Sequence, residues 1–260
     1  MAEPLRNYQS RPMNAGVRAD ASIDQGLRAY MLKVYNLMAL GLGITGVAAL
    51  ATMMMATTND PAVAVATLGN GKMLTSFGAL LYGSPLRWVV MLAPLGMVFY
   101  LSARVNSMSL SAAQTSFWVF AGLMGLSLSS IFLVYTSASI VQTFFITATA
   151  FGGLSLWGYT TKRDLTGMGT FLVMGVIGLI IAMVVNIFLQ SSALQFAISA
   201  IGVLIFAGLT AYDTQKIKEM YFDGDDALVS GRKAIMGALT LYLDFINLFS
   251  FLLHFMGNRE

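Results

Sequence analysis

Seven long apolar segments dominate this chain of 260 residues. A membrane-spanning α-helix needs about 20 apolar residues, because the bilayer core is about 30 Å thick and each helical residue advances the chain by about 1.5 Å. The segments are continuous and lack the alternating pattern of membrane β-strands. The predicted spans cover residues 30–54, 86–103, 114–135, 139–160, 168–189, 195–213 and 234–256.

The composition agrees with a lipid environment. Hydrophobic types make up 57% of the residues and charged types only 10%, whereas about a quarter of the residues in soluble domains are charged. The net charge of +3 does not indicate a nucleic-acid partner. We therefore predict an all-α membrane protein with a polar, flexible cytoplasmic tail at residues 1–29 and a seven-transmembrane-helix bundle at residues 30–257, with the lipid bilayer as its solvent.

The basic residues predict the orientation of the bundle. Twelve of the fifteen lysines and arginines lie in the N-terminal segment or in alternate connections between spans. Such segments face the cytoplasm in most membrane proteins. The N-terminus is then cytoplasmic, the C-terminus lies outside, and residues 57–85 form an external, solvated loop.

Asp244 is the strongest candidate for a functional residue. It lies inside the seventh span, and ionisable groups at membrane depth are rare unless they have a function or a partner. At helical spacing it shares a stripe with Gly237, Thr240 and Asn247, which predicts that these polar groups face the bundle or a pore. The structural alternative is a neutral, hydrogen-bonded aspartic acid that joins helices.

Asp213 lies near the end of the sixth span. It either pairs with Lys216 on the helix surface or approaches Asp244, because the last two spans are antiparallel neighbours. Two carboxyl groups in one site of low dielectric do not ionise together easily, so this pair is a candidate pH sensor. Arg104, at the end of the second span, is either the counter-ion of Asp213 or an interfacial anchor.

The remaining polar residues indicate no enzyme. Cysteine is absent, and no nucleophile–base pair, phosphate-binding loop or zinc motif is present. We predict no cofactor and no catalytic residue. His254 is expected at the membrane interface. A short acidic cluster is predicted to be a solvated turn and contains Asp223, Asp225 and Asp226.

Glycines recur in two of the spans. Small residues allow helix backbones to approach closely in lipid. Five of them are therefore predicted as helix-packing positions: Gly41, Gly43, Gly46, Gly152 and Gly153.

Two stretches near the end of the chain resemble the Bax inhibitor family, also called the transmembrane Bax inhibitor motif family. They are Phe-Ala-Gly-Leu-Thr-Ala-Tyr-Asp-Thr-Gln-Lys-Ile at residues 206–217 and Ala-Leu-Thr-Leu-Tyr-Leu-Asp-Phe-Ile-Asn-Leu-Phe at residues 238–249. The resemblance extends over residues 25–257. It implies a seven-helix bundle with the last helix near its centre.

The resemblance also implies a function. Bacterial members of the family are described as pH-sensitive calcium leak channels that a pair of aspartates gates. By position in the motifs the pair is Asp213 and Asp244, and Arg104 corresponds to an arginine that pairs with the first aspartate. The chain departs from some bacterial relatives in having no acidic residue between Arg87 and Arg104.

The leading hypothesis is therefore a pH-sensitive calcium leak channel of a bacterial inner membrane. Calcium is the permeant ion, and Asp213 and Asp244 are the candidate calcium ligands. The pair is expected to share a proton at low pH, and at higher pH to hold a closed arrangement through Arg104. One alternative is a non-conducting regulator that binds a membrane-bound AAA protease or another stress-response partner through its N-terminal tail. Another is a proton-coupled exchanger.

Overall fold

The structure, a computed structural model, describes the backbone of residues 14–259 and the side chains of residues 25–259. Helices account for most of this part of the chain, with three short strands and one 3-10 turn, Val105–Ser107, among them. The helices are α1 (Asn14–Ala56), α2 (Ser76–Gly83), α3 (Leu86–Arg104), α4 (Leu110–Leu128), α5 (Ile131–Val134), α6 (Ser137–Thr160), α7 (Thr166–Leu189), α8 (Ser192–Glu219) and α9 (Ala227–Met256). The strands are β1 (Thr57–Thr58), β2 (Ala66–Thr67) and β3 (Met73–Leu74).

The structure confirms the seven predicted spans. Seven segments of the described chain are long and apolar enough to cross a membrane. They are Gln25–Ala56, Leu86–Ser107, Leu110–Val134, Ser137–Thr160, Thr166–Leu189, Ser192–Glu219 and Ala227–Met256. The third consists of α4 and α5, which are separated by a break at residues 129–130.

The boundary of the predicted tail differs from the structure. Helix α1 begins at Asn14, so residues 14–29 are helical and continue directly into the first span. The polar character of residues 1–29 predicts a flexible tail over this whole segment. Polarity does not oppose helix formation where no proline interrupts it, and residues 14–29 contain none. Residues 1–13 of the predicted tail lie outside the described residues.

Hydrogen bonds near the ends of the helices identify two ends of the bundle. At one end Lys218 donates to the carbonyl of Tyr159 at 2.8 Å, and Arg232 donates through Nε to the carbonyl of Met108 at 2.9 Å. We call this the basic end, because Arg104 and the basic loop residues of the orientation argument lie there. At the other end, the far end, the side chain of Asn70 donates to the carbonyl of Leu133 at 2.8 Å.

The far end is more ordered than the predicted solvated loop. Strands β1 and β2 both pair with β3 in an antiparallel sheet of order β1-β3-β2. Helix α2 follows, begins at the cap residue Thr75, and packs against α1 and α3. Its sequence, Ser-Phe-Gly-Ala-Leu-Leu-Tyr-Gly, is apolar but too short to be recognised as a span. The loop prediction for residues 57–85 was therefore wrong for its second half.

Helix α9 is the centre of the bundle. It packs against α1, α4, α6 and α8. In its most apolar 18-residue window 61% of the residues are buried, against 11 to 33% in the other six spans. A helix surrounded in this way exposes almost none of its side chains to lipid, so polar groups on it need partners inside the protein.

Glycines in the structure serve two different purposes. Gly41 packs against Phe117 and Tyr242, whereas Gly43, Gly46, Gly152 and Gly153 have no other atoms near the position of a Cβ. The packing prediction therefore holds for the first and is wrong for the other four. The helix contacts that need glycine lie at positions the sequence pattern did not single out, including Gly125, Gly158, Gly202 and Gly237.

The contact between α6 and α8 depends on Gly158. A Cβ atom at this position would overlap with the carbonyl group of Ala211 on α8. We expect Gly158→Ala to lower the stability of the folded protein by about 1–3 kcal/mol, because the two backbones have to move apart. The matched control is Gly153→Ala on the same helix, which meets open space. Thermal unfolding in detergent should show a lower midpoint for the first variant and an unchanged or higher midpoint for the second.

Candidate functional site

A polar stripe runs along the side of α8 that faces the bundle. Thr210 and Thr214 are fully buried, and each donates its hydroxyl proton to a carbonyl four residues earlier, Phe206 at 2.8 Å and Thr210 at 2.7 Å. Asp213 lies beside them and is half-buried. The threonines are therefore satisfied within their own helix, and the carboxyl group is the group on this stripe that needs a partner from another helix.

The partner of Asp213 is Asp244 on α9. The two carboxyl groups lie within hydrogen-bonding distance of each other, and Asp244 is only 5% exposed. Its Oδ2 atom accepts no hydrogen bond from an N–H group or a hydroxyl of the described residues. Two carboxyl groups in contact form a hydrogen bond only when one of them carries a proton. A hydrogen bond between the two groups therefore requires that the pair share one proton.

The carboxyl pair lies inside the span rather than at its edge. Asp213 precedes the last residue of α8, Glu219, by six positions, which corresponds to about 9 Å along the helix. Between the pair and the basic end, Ile217 of α8 packs on Gly237 of α9 and closes the interface. Asp244 is buried at this level, whereas Asp213 is half-buried.

Lys216 and Arg104 are the two candidate cationic partners of the pair. Lys216 interacts electrostatically with Asp213, although its ammonium group is exposed and lies 5.8 Å from the centre of the Tyr212 ring. The side chain of Arg104 is exposed, and within the described residues it forms no ion pair with either aspartate. In this conformation Arg104 is not brought to the pair, and its role as counter-ion stays a prediction.

The two other polar residues predicted to face the bundle or a pore form hydrogen bonds within their own helix. Thr240 donates to the carbonyl of Met236 at 3.1 Å, and Asn247 donates to the carbonyl of Leu243 at 2.8 Å. Both are half-buried on α9, one turn on either side of Asp244. They lie on the predicted stripe, but neither forms a hydrogen bond to a carboxyl group.

A chain of hydroxyl groups next to the pair joins three helices. Tyr35 of α1 lies 2.7 Å from Ser155 of α6, which lies 2.8 Å from Thr214 of α8, measured between oxygen atoms. Thr214 donates its only hydroxyl proton to the carbonyl of Thr210. Ser155 must therefore donate to Thr214, and Tyr35 must donate to Ser155. We call this chain the hydroxyl brace. Its last member is the residue after Asp213.

A second buried hydrogen bond fixes α9 from the opposite side. Tyr242 is fully buried, and its hydroxyl lies 2.6 Å from the hydroxyl of Thr45 on α1. The hydroxyl oxygen of Thr45 lies 2.9 Å from each of the carbonyl oxygens of Gly41 and Ala121, and these two acceptors share its one proton. The single proton of Thr45 is thus used, so Tyr242 is the donor. This tyrosine lies two residues before Asp244 and limits rotation of α9 at that depth.

The sequence did not reveal the brace or the Tyr242 bond, because single tyrosines and serines in apolar runs have many roles. A usable signal is that both tyrosines lie inside spans, where an unpartnered hydroxyl group is costly.

The acidic turn is more structured than predicted. Asp226 accepts a hydrogen bond from the backbone N–H of Val229 at 2.7 Å and caps the start of α9. Asp225 forms an ion pair with Lys233 at 2.5 Å, and Asp223 accepts a hydrogen bond from Tyr221 at 3.1 Å. These carboxylates anchor the connection between α8 and α9 at the basic end.

The described residues contain no group of three or more histidine, cysteine, aspartate or glutamate side chains that would hold a metal ion. The carboxyl pair alone offers two oxygen-bearing groups to a cation. Calcium bound tightly by proteins has six to eight oxygen ligands. The pair alone therefore supplies fewer oxygen ligands than such a site has.

Comparison with known proteins gives a consistent result. The family described as "Inhibitor of apoptosis-promoting Bax1" matches residues 27–260. An uncharacterised protein of Rickettsia prowazekii is 50% identical over 92% of this chain and 93% of its own length. An uncharacterised protein of Caulobacter vibrioides is 49% identical over 94% of both chains. The inner membrane protein YbhL of Escherichia coli is 44% identical over 90% of this chain and 94% of its own.

The hydroxyl brace makes a quantitative prediction. In a double-mutant cycle of Tyr35→Phe and Ser155→Ala, we expect a coupling energy of about 0.6 to 1.7 kcal/mol, the range found for hydrogen bonds between membrane helices. Unfolding in mixed micelles measures it. The control cycle replaces Tyr35→Phe with Tyr100→Phe, an exposed tyrosine on α3, and its coupling energy should be zero within error. Equal coupling in both cycles would show that the brace contributes nothing specific.

Proposed function

This chain belongs to the Bax inhibitor family, and we propose that it is a pH-sensitive calcium leak channel whose gate is the carboxyl pair of Asp213 and Asp244. The Escherichia coli relative is an inner membrane protein, which supports placement in a bacterial inner membrane. The proposal rests mainly on one observation: two carboxyl groups from different helices are in contact inside the membrane-spanning part of the protein.

The carboxyl pair provides a response to pH without any other titrating group. With one shared proton it carries one negative charge and attracts α8 to α9. Loss of that proton leaves two negative charges in contact in a medium of low dielectric, and the repulsion drives the two helices apart. Since α9 packs against four other helices, a shift at Asp244 is transmitted to most of the bundle.

The same carboxyl pair has the chemistry of a transient binding site for a divalent cation that crosses the membrane. Carboxylate oxygens are the preferred ligands of calcium, and conduction requires sites weak enough to release the ion. A calcium ion between the two carboxylates would replace the shared proton as the neutralising charge. Protons and calcium therefore compete for one site, which ties the conductance to pH.

The structure has the features of a closed state. Asp244 is almost completely buried, and Leu241, Phe245 and Leu248 around it on α9 are buried as well. An ion that reaches the pair from either end needs α9 or its neighbours to move. The proposal therefore assigns the closed state to the proton-sharing pair, the reverse of the sequence-based expectation that the closed arrangement forms at higher pH. Arg104, which is exposed in this conformation, is available to approach the ionised pair and stabilise the second arrangement.

Calcium flux into liposomes that contain only the purified protein tests the proposal. We expect the flux at about pH 6 to differ from that at about pH 8, because two pH units change the ratio of protonated to ionised groups about 100-fold. Asp213→Asn and Asp244→Asn should both remove this pH dependence, since an amide cannot exchange the proton. Asp60→Asn, at an exposed carboxyl group of the far-end loop, is the matched control and should keep the wild-type profile.

Two outcomes would contradict the proposal. An unchanged pH profile in both aspartate variants would exclude the pair as the sensor. Absence of flux above that of empty liposomes, with the protein folded, would favour the non-conducting regulator. In that case deletion of residues 1–25 followed by a binding assay with a membrane-bound AAA protease tests whether the N-terminal segment carries an interaction.

We also propose that the basic end faces the cytoplasm, from the distribution of lysine and arginine. The chain contains no cysteine, so single introduced cysteines report sidedness directly. In intact cells, Thr67→Cys at the far end should react with a membrane-impermeant maleimide, and Ser107→Cys at the basic end should react only after the membrane is permeabilised. The reverse pattern would invert the orientation.

A further inference from the structure

A crevice separates α1 and α6 along the side of the bundle. Both helices pack against α9, yet cavities remain between them at two levels. The cavity nearer the basic end has a volume of about 480 Å³ and is lined by Arg28, Leu32 and Tyr35 of α1 and by Gly152, Leu156 and Tyr159 of α6. The crevice is crossed at this level by the first bond of the hydroxyl brace, from Tyr35 to Ser155.

Glycine keeps the crevice open. A Cβ atom at Gly152 would meet no other atom within 4 Å, so this residue creates space on the wall of the cavity and takes no part in close helix packing. Leu32 and Leu156, on opposite sides of the opening, are 51% and 63% exposed. The crevice therefore opens sideways, toward the surroundings of the spans.

The middle of the crevice is apolar. Its polar lining groups are the Arg28 guanidinium at one end and the hydroxyls of Tyr35 and Tyr159, and Tyr35 has already donated its proton to Ser155. Between Leu32 and Leu156 an ordered water would lack the two to four polar partners it needs. Since the crevice lies within Gln25–Ala56 and Ser137–Thr160, two of the spans, the apolar occupant that fits this part is a lipid chain.

The charge at the mouth of the crevice selects the type of lipid. Arg28 lines the cavity at its basic end, and Lys162 and Arg163, which follow α6, are exposed at the same end. Asp164 is exposed beside them. Arg28 and Tyr35 are seven positions apart, which corresponds to about 10 Å along the helix, so the cavity fits within one leaflet of about 15 Å. A guanidinium group favours phosphate oxygens.

We propose that this crevice binds one anionic phospholipid, with its phosphate at Arg28 and one acyl chain between Leu32 and Leu156 over Gly152. The site does not depend on ion conduction and stands or falls separately from the proposed function. Because Tyr35 forms both a wall of the crevice and the first member of the hydroxyl brace, the bound chain lies directly against a contact that joins α1 to α6.

Native mass spectrometry of the full-length protein in detergent, with added phosphatidylglycerol or phosphatidylethanolamine, tests the proposal. The wild type should retain one phosphatidylglycerol in preference to phosphatidylethanolamine. Gly152→Phe fills the cavity and should abolish retention, whereas Gly153→Phe, at a neighbouring glycine that also meets open space, should not. Leu32→Trp fills the crevice from α1 and provides a second blocking variant if Gly152→Phe fails to fold.

A substitution of Arg28 tests the proposed contact with the lipid phosphate. Arg28→Gln should weaken phosphatidylglycerol binding about fivefold, as expected for one cation near an anionic lipid surface. Lys33→Gln, an exposed cation of the same helix that does not line the cavity, should leave binding unchanged. Equal retention by the wild type and both folded blocking variants, or equal retention of the two lipids by the wild type, would overturn the proposal.

Discussion

The arrangement of this bundle depends on the need of a buried carboxyl group for a partner. Asp244 is 5% exposed on the central helix, in a part of the chain where the bilayer offers no hydrogen bonds. Its partner is the carboxyl group of Asp213 on α8. An arginine or lysine in that place would have formed a permanent ion pair. A second carboxyl group instead forms a contact that exists with one shared proton and becomes repulsive without it, and the proposed response to pH rests on this difference.

Hydrogen bonds from hydroxyl groups hold the helices around this contact in place. Tyr35, Ser155 and Thr214 link α1, α6 and α8, and Tyr242 links α9 to Thr45 of α1. In each set of linked hydroxyl groups the last threonine donates to a backbone carbonyl, and this determines which group donates in every other hydrogen bond of the set. Such bonds contribute modest energies in membranes, so the bundle around the pair is ordered without being locked.

Several parts of the molecule could be predicted because they follow from local chemistry. The seven spans, the interior position of Asp244 and its approach to Asp213 follow from apolar length, helical spacing and antiparallel neighbours. The prediction that Gly152 and Gly153 are helix-packing positions was wrong. Gly152 and Gly153 are adjacent small residues in a span, and both lie at open positions, whereas the close contact of α6 with α8 occurs at Gly158. Which face of a helix meets a neighbour depends on the other helices, and the spans are apolar on every side.

The membrane environment, the number of spans and the two candidate carboxyl groups can be predicted from the amino-acid sequence, because apolar length and charge are properties of each segment alone. The central position of α9 and the hydroxyl groups that join α1, α6 and α8 are visible only in the folded protein. The same is true of the exposure of Arg104 while the carboxyl groups meet, and of the crevice between α1 and α6. These features arise from the relative rotation and separation of helices. In a lipid-soluble chain the hydrophobic pattern does not encode that rotation, since lipid and protein interior are equally apolar.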